Sequence, residues 1–413
     1  MARNTLLRSS GYRKLWSAAT VSELGTQATF LAVPIYAVSV LDADATALGL
    51  ITAGQFLPLV LFSLPTGVLA DRFPRKRLLV ISDLLRAVVV LLAGVGAIAG
   101  LLNVPLLVLV GLLLGTIASL SYSASQAILP DIIEAEDLVS ANTGLQVSRS
   151  AAQVVGPGAA GVLIRAFGVP VALLVDAASY VASASVLGTM RVRERLTPST
   201  GASLQSFIGD IRGGLEFVLG HPLLRPMAIA SGLVNLGVAS VEAIYVLYAI
   251  RLIGLSELQV GLTFTIGNFS LLAALPLTLG LNKLKGSGAV FVVALGMQAA
   301  GLLLIASATS SVLPVAVLGA ALLLRNAGAI SWGIVATSLR QRVSPPEVIG
   351  RVAATVRTFG SLGLPVGAIV GGVAGDAIGI RPTLFLAALT ALGALAYILV
   401  SDVASYREVP TAR

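Results

Sequence analysis

Gly67-Val-Leu-Ala-Asp71-Arg72-Phe-Pro-Arg75-Lys76-Arg77 joins two long apolar segments, Ala47–Leu69 and Leu78–Gly100, and its reading decides the fold. Four cations fall within the six residues from Arg72 to Arg77. A Lys or Arg at the centre of a bilayer costs about 2.5–3.5 kcal/mol by insertion measurements. Such a strip is driven to the membrane surface and, by the bias of basic residues, to the cytoplasmic one. Each apolar flank reaches the length of about 20 residues that crosses the hydrocarbon. The stretch therefore predicts a tight cytoplasmic turn between two membrane helices. Gly67 lets those helices approach closely, and Asp71 stands among cations able to pair with it.

The same alternation of apolar run and polar break extends along all 413 residues. Spans are expected at 15–40, 46–70, 78–100, 104–129, 140–165, 170–190, 223–250, 257–281, 288–309, 312–339, 350–375 and 381–402. Only 11% of the residues are charged and 56% are hydrophobic, against a charged share of about 25% in soluble domains. No large soluble domain is left over. The first apolar run is too long for a signal-peptide core and has no evident cleavage site, so it is expected to remain as a helix. Cysteine is absent, which excludes disulfides and thiol chemistry.

A net charge of +8 could suggest nucleic acid, but the distribution of the cations argues against it. With a cytoplasmic N-terminus, 20 of the 27 Lys and Arg fall on cytoplasmic segments and only Arg165, Arg251 and Arg381 on outer loops. Basicity here encodes orientation. The inner loop with Asp131, Glu134, Glu136 and Asp137 is the exception, and it can pair with its basic neighbours. Both termini are expected in the cytoplasm and the protein in the cell (inner or plasma) membrane.

Residues 191–222 form the long polar interruption and divide the chain into bundles at 1–190 and 223–413, with a cytoplasmic loop between them. The halves resemble each other. Glu23-Leu24-Gly25…Tyr36 recurs as Asn235-Leu236-Gly237…Tyr248, Gly49 recurs as Gly261, and Arg149…Pro157 recurs as Arg357…Pro365. The expected fold is an all-α integral membrane protein of about twelve helices in two pseudo-symmetric six-helix bundles.

The charged strip resembles the loop between the second and third helices of major facilitator superfamily transporters, Gly-x-Leu-x-Asp-Arg-x-Gly-Arg-Arg/Lys. Pro74 stands where that family has its second glycine. The second-half copy has decayed to Leu281-Asn-Lys283-Leu-Lys285-Gly, without the aspartate. The resemblance covers essentially the whole chain. It implies a central substrate cavity lined by spans 1, 4, 7 and 10, with alternating access by rocking of the two repeats.

Ionisable groups inside membrane spans face a cavity or a partner. Glu23 and Gln27 lie four residues apart on span 1, hence on one helical face. Asn235 and Glu242 share a face of span 7, with Tyr245 three residues further on. Arg325 and Asn326 lie mid-span on the tenth segment. These seven residues are the candidates for proton coupling and substrate contact. A carboxyl exposed alternately to two compartments is suited to carry a proton. Gly67, Asp71, Arg72, Arg75, Arg149 and Arg357 are the candidates for a cytoplasmic gate, with Arg149 and Arg357 directed at acids such as Asp71 or Asp131. Asp83 and Arg86 can satisfy each other, and Asp176 reads as peripheral and structural. The one histidine, His221, lies in the central loop, so no histidine relay is available.

Gly156-Pro157-Gly158-Ala-Ala-Gly161 resembles the Gly-x-x-x-Gly-Pro-x-x-Gly-Gly antiporter motif of drug exporters in the superfamily. Gly156, Pro157 and Gly161 match it, while Ala152 and Ala160 replace two glycines. These residues read as a hinge and favour export over uptake. The opening GYRKLWSAATVSELGTQ, Asp83-Leu-Leu-Arg86 and Asp176-Ala-Ala-Ser resemble the macrolide and siderophore (enterobactin-type) exporter branch. Two departures stand out. Span 4 has Tyr122 and Gln126 but no cation, and Thr26 occupies the position where that branch has an acid after the span-1 glycine.

The resulting expectation is a monomeric secondary transporter exporting an amphipathic drug-like compound, natural product or siderophore by proton antiport. Its partners are the small-molecule substrate, protons and the lipid bilayer, with no nucleic acid, no cofactor and no metal. A lipid or lysophospholipid transporter is the alternative within transport, and a non-transporting membrane sensor or scaffold the alternative outside it. Nucleophile elbow, zinc helix and phosphate-cradling motifs are all missing, so no enzyme is expected.

Overall fold

A computed structural model describes residues 9–192, 194, 213–310, 313–345 and 349–407, apart from the side chains of 63–65, 67, 68, 70, 71, 349–351, 354, 357 and 359. Twelve long helical segments run through the described residues: α1 (Ser10–Ser39), α2 (Ala45–Arg72), α3 (Arg75–Ile98), α4 (Val104–Ile132), α5 (Leu138–Phe167) and α6 (Val169–Gly188), then α7 (Leu224–Leu247), α8 (Glu257–Lys285), α9 (Ser287–Ser307), α10 (Pro314–Val343), α11 (Ile349–Ile378) and α12 (Ile380–Leu399). A single π turn, Tyr248–Leu252, extends α7, and α8 is interrupted at Phe269. Every expected span lands on one of these helices, with ends displaced by a few residues.

Ten of the twelve are long and apolar enough to cross a membrane by composition. The other two, α1 and α5, carry the most polar side chains: Glu23 and Gln27 on α1, and Asn142, Gln146, Arg149 and Gln153 on α5. These two helices pack on each other. Polar groups that lipid would penalise meet a protein partner there instead.

The charged strip departs from its expected form. Gly67–Arg72 completes the last turn of α2, Arg75–Arg77 begins α3, and only Phe73-Pro74 bridges them. Proline has no amide hydrogen to satisfy, so it suits the start of a helix.

Helix ends follow local chemistry. Ser9 Oγ accepts from the Tyr12 amide at the start of α1, and Asn103 Oδ1 accepts from the Leu106 amide at the start of α4, supplying acceptors for unpaired first-turn donors. The α5–α6 and α11–α12 junctions each turn at a single glycine, Gly168 (φ 85°) and Gly379 (φ 93°), where any side chain would be strained.

Two compact units emerge. The first comprises Met1–Ala43, Gly54–Thr200 and Leu255–Thr265; the second comprises Asp44–Ala53, Gly201–Gly254 and Ile266–Arg413. In the first unit α1 packs on α5 and α6, and α3 packs on α4 and α6. In the second α7 packs on α11 and α12, and α9 packs on α10 and α12. The neighbour scheme is therefore the same in both, as duplicated bundles require.

The division differs from a plain cut at the central loop because the first turns of α2 and α8 are exchanged. In the second unit Asp376 of α11 accepts from the amides of Ala45 (3.0 Å) and Thr46 (2.8 Å), capping α2. In the first unit the start of α8 lies against α5, where a methyl added at Gly161 would meet Leu258 Cα at 3.0 Å. That helix caps itself, with Gln259 Oε1 accepting from the Ser256 amide at 2.9 Å. Of the expected central loop 191–222, residues 193 and 195–212 lie outside the described residues.

Small residues bring helices together where side chains would hold them apart. On α11 Gly363, Gly367 and Gly371 form a stripe along α7; a methyl at Gly371 would lie 2.5 Å from Ser240 Cα. Ser240 Oγ also donates to the Gly367 carbonyl at 2.8 Å.

Candidate functional site

Each unit brings one intramembrane glutamate to one arginine. In the first, Arg149 Nε of α5 lies 3.7 Å from Glu23 Oε2 of α1, with side-chain exposures of 38% and 25%. Arg149 also stands 5.6 Å from the centre of the Tyr122 ring on α4. Gln27 Nε2 donates to Glu23 Oε1 at 3.4 Å, so the shared face expected of these two residues is observed. Gln27 in turn is buried against Gly156, where a methyl would collide with its side chain.

The sequence expectation for Arg149 is corrected here. It meets Glu23, because α5 packs along α1, and Asp131 is occupied by Arg75 at 2.5 Å. The Arg75 and Lys76 amides both donate to the Glu194 carboxylate, the latter at 3.0 Å. Arg72 is exposed at the end of α2. The side chains of Gly67, Asp71 and Arg357 lie outside the described residues.

In the second unit Arg325 of α10 reaches Glu242 of α7 at 3.3 Å, with side-chain exposures of 10% and 31%. Asn326 Oδ1 accepts from Arg325 Nε (3.0 Å) and Nη2 (2.8 Å), fixing the guanidinium plane. The buried Nη1 of Arg325 has no hydrogen-bond partner. Asn326 Nδ2 donates at 3.4 Å to the Gly267 carbonyl and to Asn268 Oδ1, at the point where α8 is interrupted. Glu242, Arg325 and Asn326 are thus brought together.

Asn235 is bonded to a different helix, and Tyr245 is buried. Asn235 Nδ2 donates to the Gly360 carbonyl of α11 at 2.8 Å, locking α7 to α11. Tyr245 is 1% exposed in the core of the second unit. Its spacing from Glu242 is helical, but close packing closes over that part of α7, and this corrects its expected place at an open face.

Pro157 lies inside α5 without ending it. A methyl at Gly158 would meet Thr265 Oγ1 at 2.9 Å, and one at Gly261 would collide with the Pro157 carbonyl. The Gly156, Pro157 and Gly161 segment is therefore where α5 accepts the start of α8. Sequence reasoning missed Asn268 and Asp376 as contributors. Asn268 was legible only as a polar residue within the expected span 257–281, and Asp376 only as one just beyond the expected span 350–375.

A further polar cluster joins α1, α3 and α6. Asp83 is confirmed beside Arg86 at 3.7 Å and accepts from Ser183 Oγ at 2.5 Å. Asp176 is 0% exposed, lies against α1 and accepts from Thr29 Oγ1. Its expected peripheral placement is corrected, because α6 faces both α1 and α3 at this level.

Comparison with known proteins gives the context. Residues 15–368 match the Major Facilitator Superfamily. Macrolide efflux protein A of Streptococcus pyogenes is 22% identical over 382 residues, covering 89% of this chain and 90% of that protein. The uncharacterised MFS-type transporter YkuC of Bacillus subtilis (strain 168) is 23% identical over 243 residues; that match covers 57% of this chain and spans 56% of YkuC. The crystal structure of the nucleoside transporter NupG superposes with a TM-score of 0.75 at 12% identity, covering 96% of this chain and 99% of that one.

Proposed function

The chain belongs to the Major Facilitator Superfamily of transporters, and from that premise we propose that it exports an amphipathic small molecule in exchange for protons carried by Glu23 and Glu242. One observation carries the reading: each unit holds a partly exposed glutamate within ion-pair distance of an arginine, between α1 and α5 in the first and between α7 and α10 in the second. Each pair is neutral overall. Protonating the acid leaves the arginine uncompensated and weakens the pair, while a cationic cargo competes with the arginine for the same carboxylate.

Arg325 is the group suited to cargo. Asn326 already holds two of its donors, and the buried Nη1, without a hydrogen-bond partner among the described residues, meets an acceptor on the transported molecule once the site opens. The similarity to a macrolide efflux protein over 89% of this chain supports export. Both termini and the Arg72–Arg77 strip lie on the cytoplasmic side of the plasma membrane, and the protein works as a monomer. Arg75, paired with Asp131 and bonded through its amide to Glu194, belongs to the cytoplasmic gate of the first unit, while Gly156, Pro157 and Gly161 form the hinge.

The test is efflux from sealed vesicles under an imposed pH gradient, comparing the wild type with Glu23→Gln, Glu242→Gln and the double variant. Each single variant is expected to lose gradient-driven efflux at least tenfold while still binding cargo. Normal gradient-driven efflux by the double variant would end the reading.

A further inference from the structure

The cluster between α1, α3 and α6 is not used by the exchange reading, yet it contains two buried carboxyls and one cation. Asp83 is provided for: Arg86 lies 3.7 Å from it and Ser183 donates to it at 2.5 Å. Asp176, with no exposure at all, has Thr29 and Ser179 as its hydrogen-bonding neighbours. Among the described residues, Arg86 and Asp83 are the charged groups that act on Asp176. Thr26 and Thr29 of α1 bring hydroxyls, and Tyr180 on α6 brings a phenol whose oxygen lies 2.7 Å from Thr26 Oγ1. The nearest acid of α1, Glu23, is paired with Arg149 of α5. One arginine therefore stands against two carboxyls, and an uncompensated buried charge is strongly disfavoured.

Hydrogen accounting identifies which acid is neutral. A serine hydroxyl has one hydrogen to donate. Ser179 Oγ lies 2.8 Å from the Asp176 backbone carbonyl and 3.2 Å from Asp176 Oδ1. The shorter contact takes the serine hydrogen, as is usual for hydroxyls bonding back along a helix. The 3.2 Å contact then lacks a hydrogen unless the carboxyl supplies it. Thr29 Oγ1 donates to the other oxygen, Oδ2. A neutral acid satisfies every atom: Oδ1–H donates to Ser179 Oγ while Oδ2 accepts from Thr29. An ionised one must share the single serine hydrogen between the backbone carbonyl and Oδ1.

We propose that Asp176 is a proton-binding site separate from Glu23 and Glu242, neutral while α1 is seated on α6, and that loss of its proton loosens α1. The seating is close. A methyl at Gly25 would come within 2.5 Å of Asp176 Oδ1, and Thr29 hangs directly on the carboxyl. Ionising Asp176 places a charge where α1 has no room to admit water. The site acts on the helix that carries Glu23, so pH reaches α1 by a second route.

The experiment uses the full-length protein in lipid vesicles and infrared difference spectroscopy through a pH titration. The wild type is expected to show the carbonyl band of a protonated carboxyl at neutral pH. Asp176→Asn should abolish it and Glu23→Gln should leave it in place. Asparagine reproduces the neutral acid, its amide facing Ser179 and its carbonyl facing Thr29, so that variant should fold. Ser179→Ala supplies the independent check: it removes the acceptor, and the band should shift without vanishing. Thermal stability of the wild type should fall as rising pH removes the proton, and this fall should be absent in Asp176→Asn. Identical spectra for wild type and Asp176→Asn, or an equal alkaline fall in both, would overturn the proposal. The inference does not rest on proton antiport. A pump driven by another ion would still show the band, and a missing band would leave exchange at Glu23 and Glu242 intact.

Discussion

The two glutamate–arginine pairs occupy comparable roles in the two units but are not copies of each other. Glu23 corresponds by repeat to Asn235, and Arg149 corresponds to Arg357. The α1–α5 ion pair of the first unit is thus replaced in the second by a neutral bond between α7 and α11, from Asn235 Nδ2 to the Gly360 carbonyl at 2.8 Å. The second unit builds its own ion pair elsewhere, between α7 and α10. The surroundings differ as well. Arg149 is 38% exposed and leans on an aromatic ring, whereas Arg325 is 10% exposed and is gripped by Asn326. The cation of the first pair is thus the more exposed and that of the second the more buried. Duplication preserved the helix-neighbour scheme while the polar chemistry within it diverged.

That comparison can be broken most directly at Glu242. Glu242→Ala strands a buried guanidinium, and removing one partner of a fully buried pair costs about 3–5 kcal/mol. Because the Glu242 side chain is 31% exposed, the expected loss is smaller, about 1–3 kcal/mol, read as a lowered denaturation midpoint in lipid nanodiscs. Gly371→Ala follows, since its methyl would lie 2.5 Å from Ser240 Cα. Overpacking of that kind costs about 1–3 kcal/mol. Gly360→Ala, whose methyl would meet Asn235 Nδ2 only at 3.7 Å, should be close to neutral by the same measurement.

Asn235→Ala should cost about 1 kcal/mol, the net worth of one hydrogen bond, with transport retained if its role is to lock α7 to α11. Abolished transport without loss of stability would return Asn235 to the functional group. The smallest effect is expected at the pair with the more exposed cation. A double-mutant cycle on Glu23 and Arg149 should give a coupling below about 1 kcal/mol, shrinking as salt is raised. The coupling of Glu242 with Arg325 should be larger and less sensitive to salt. Equal couplings with equal salt dependence would erase the distinction between the units.

Much of the architecture was legible because membrane insertion is a local test. Each apolar run had to be long enough to cross and each charged break had to lie outside, so the helices could be placed from windows of about 20 residues. Glu23 with Gln27, and Asp83 with Arg86, were legible for the same reason, since helical spacing alone brings them together. Tyr245 and Asp176 were not. Lipid and protein interior are similarly apolar, so hydrophobic patterning does not say which face of a membrane helix meets protein. The partner of Arg149 was hidden too, because several acids lay within plausible reach along the chain.

The amino-acid sequence by itself determined the number and order of the helices, the duplication of the two halves and the residues that share a helical face, all consequences of spacing along one chain. Only the tertiary structure decided that Arg149 meets Glu23, that Arg325 meets Glu242 across 83 positions, and that Asp176 is sealed beneath α1. Those outcomes depend on how closely glycine and alanine let particular helices approach, and a contact between distant helices is a property of their packing rather than of either segment.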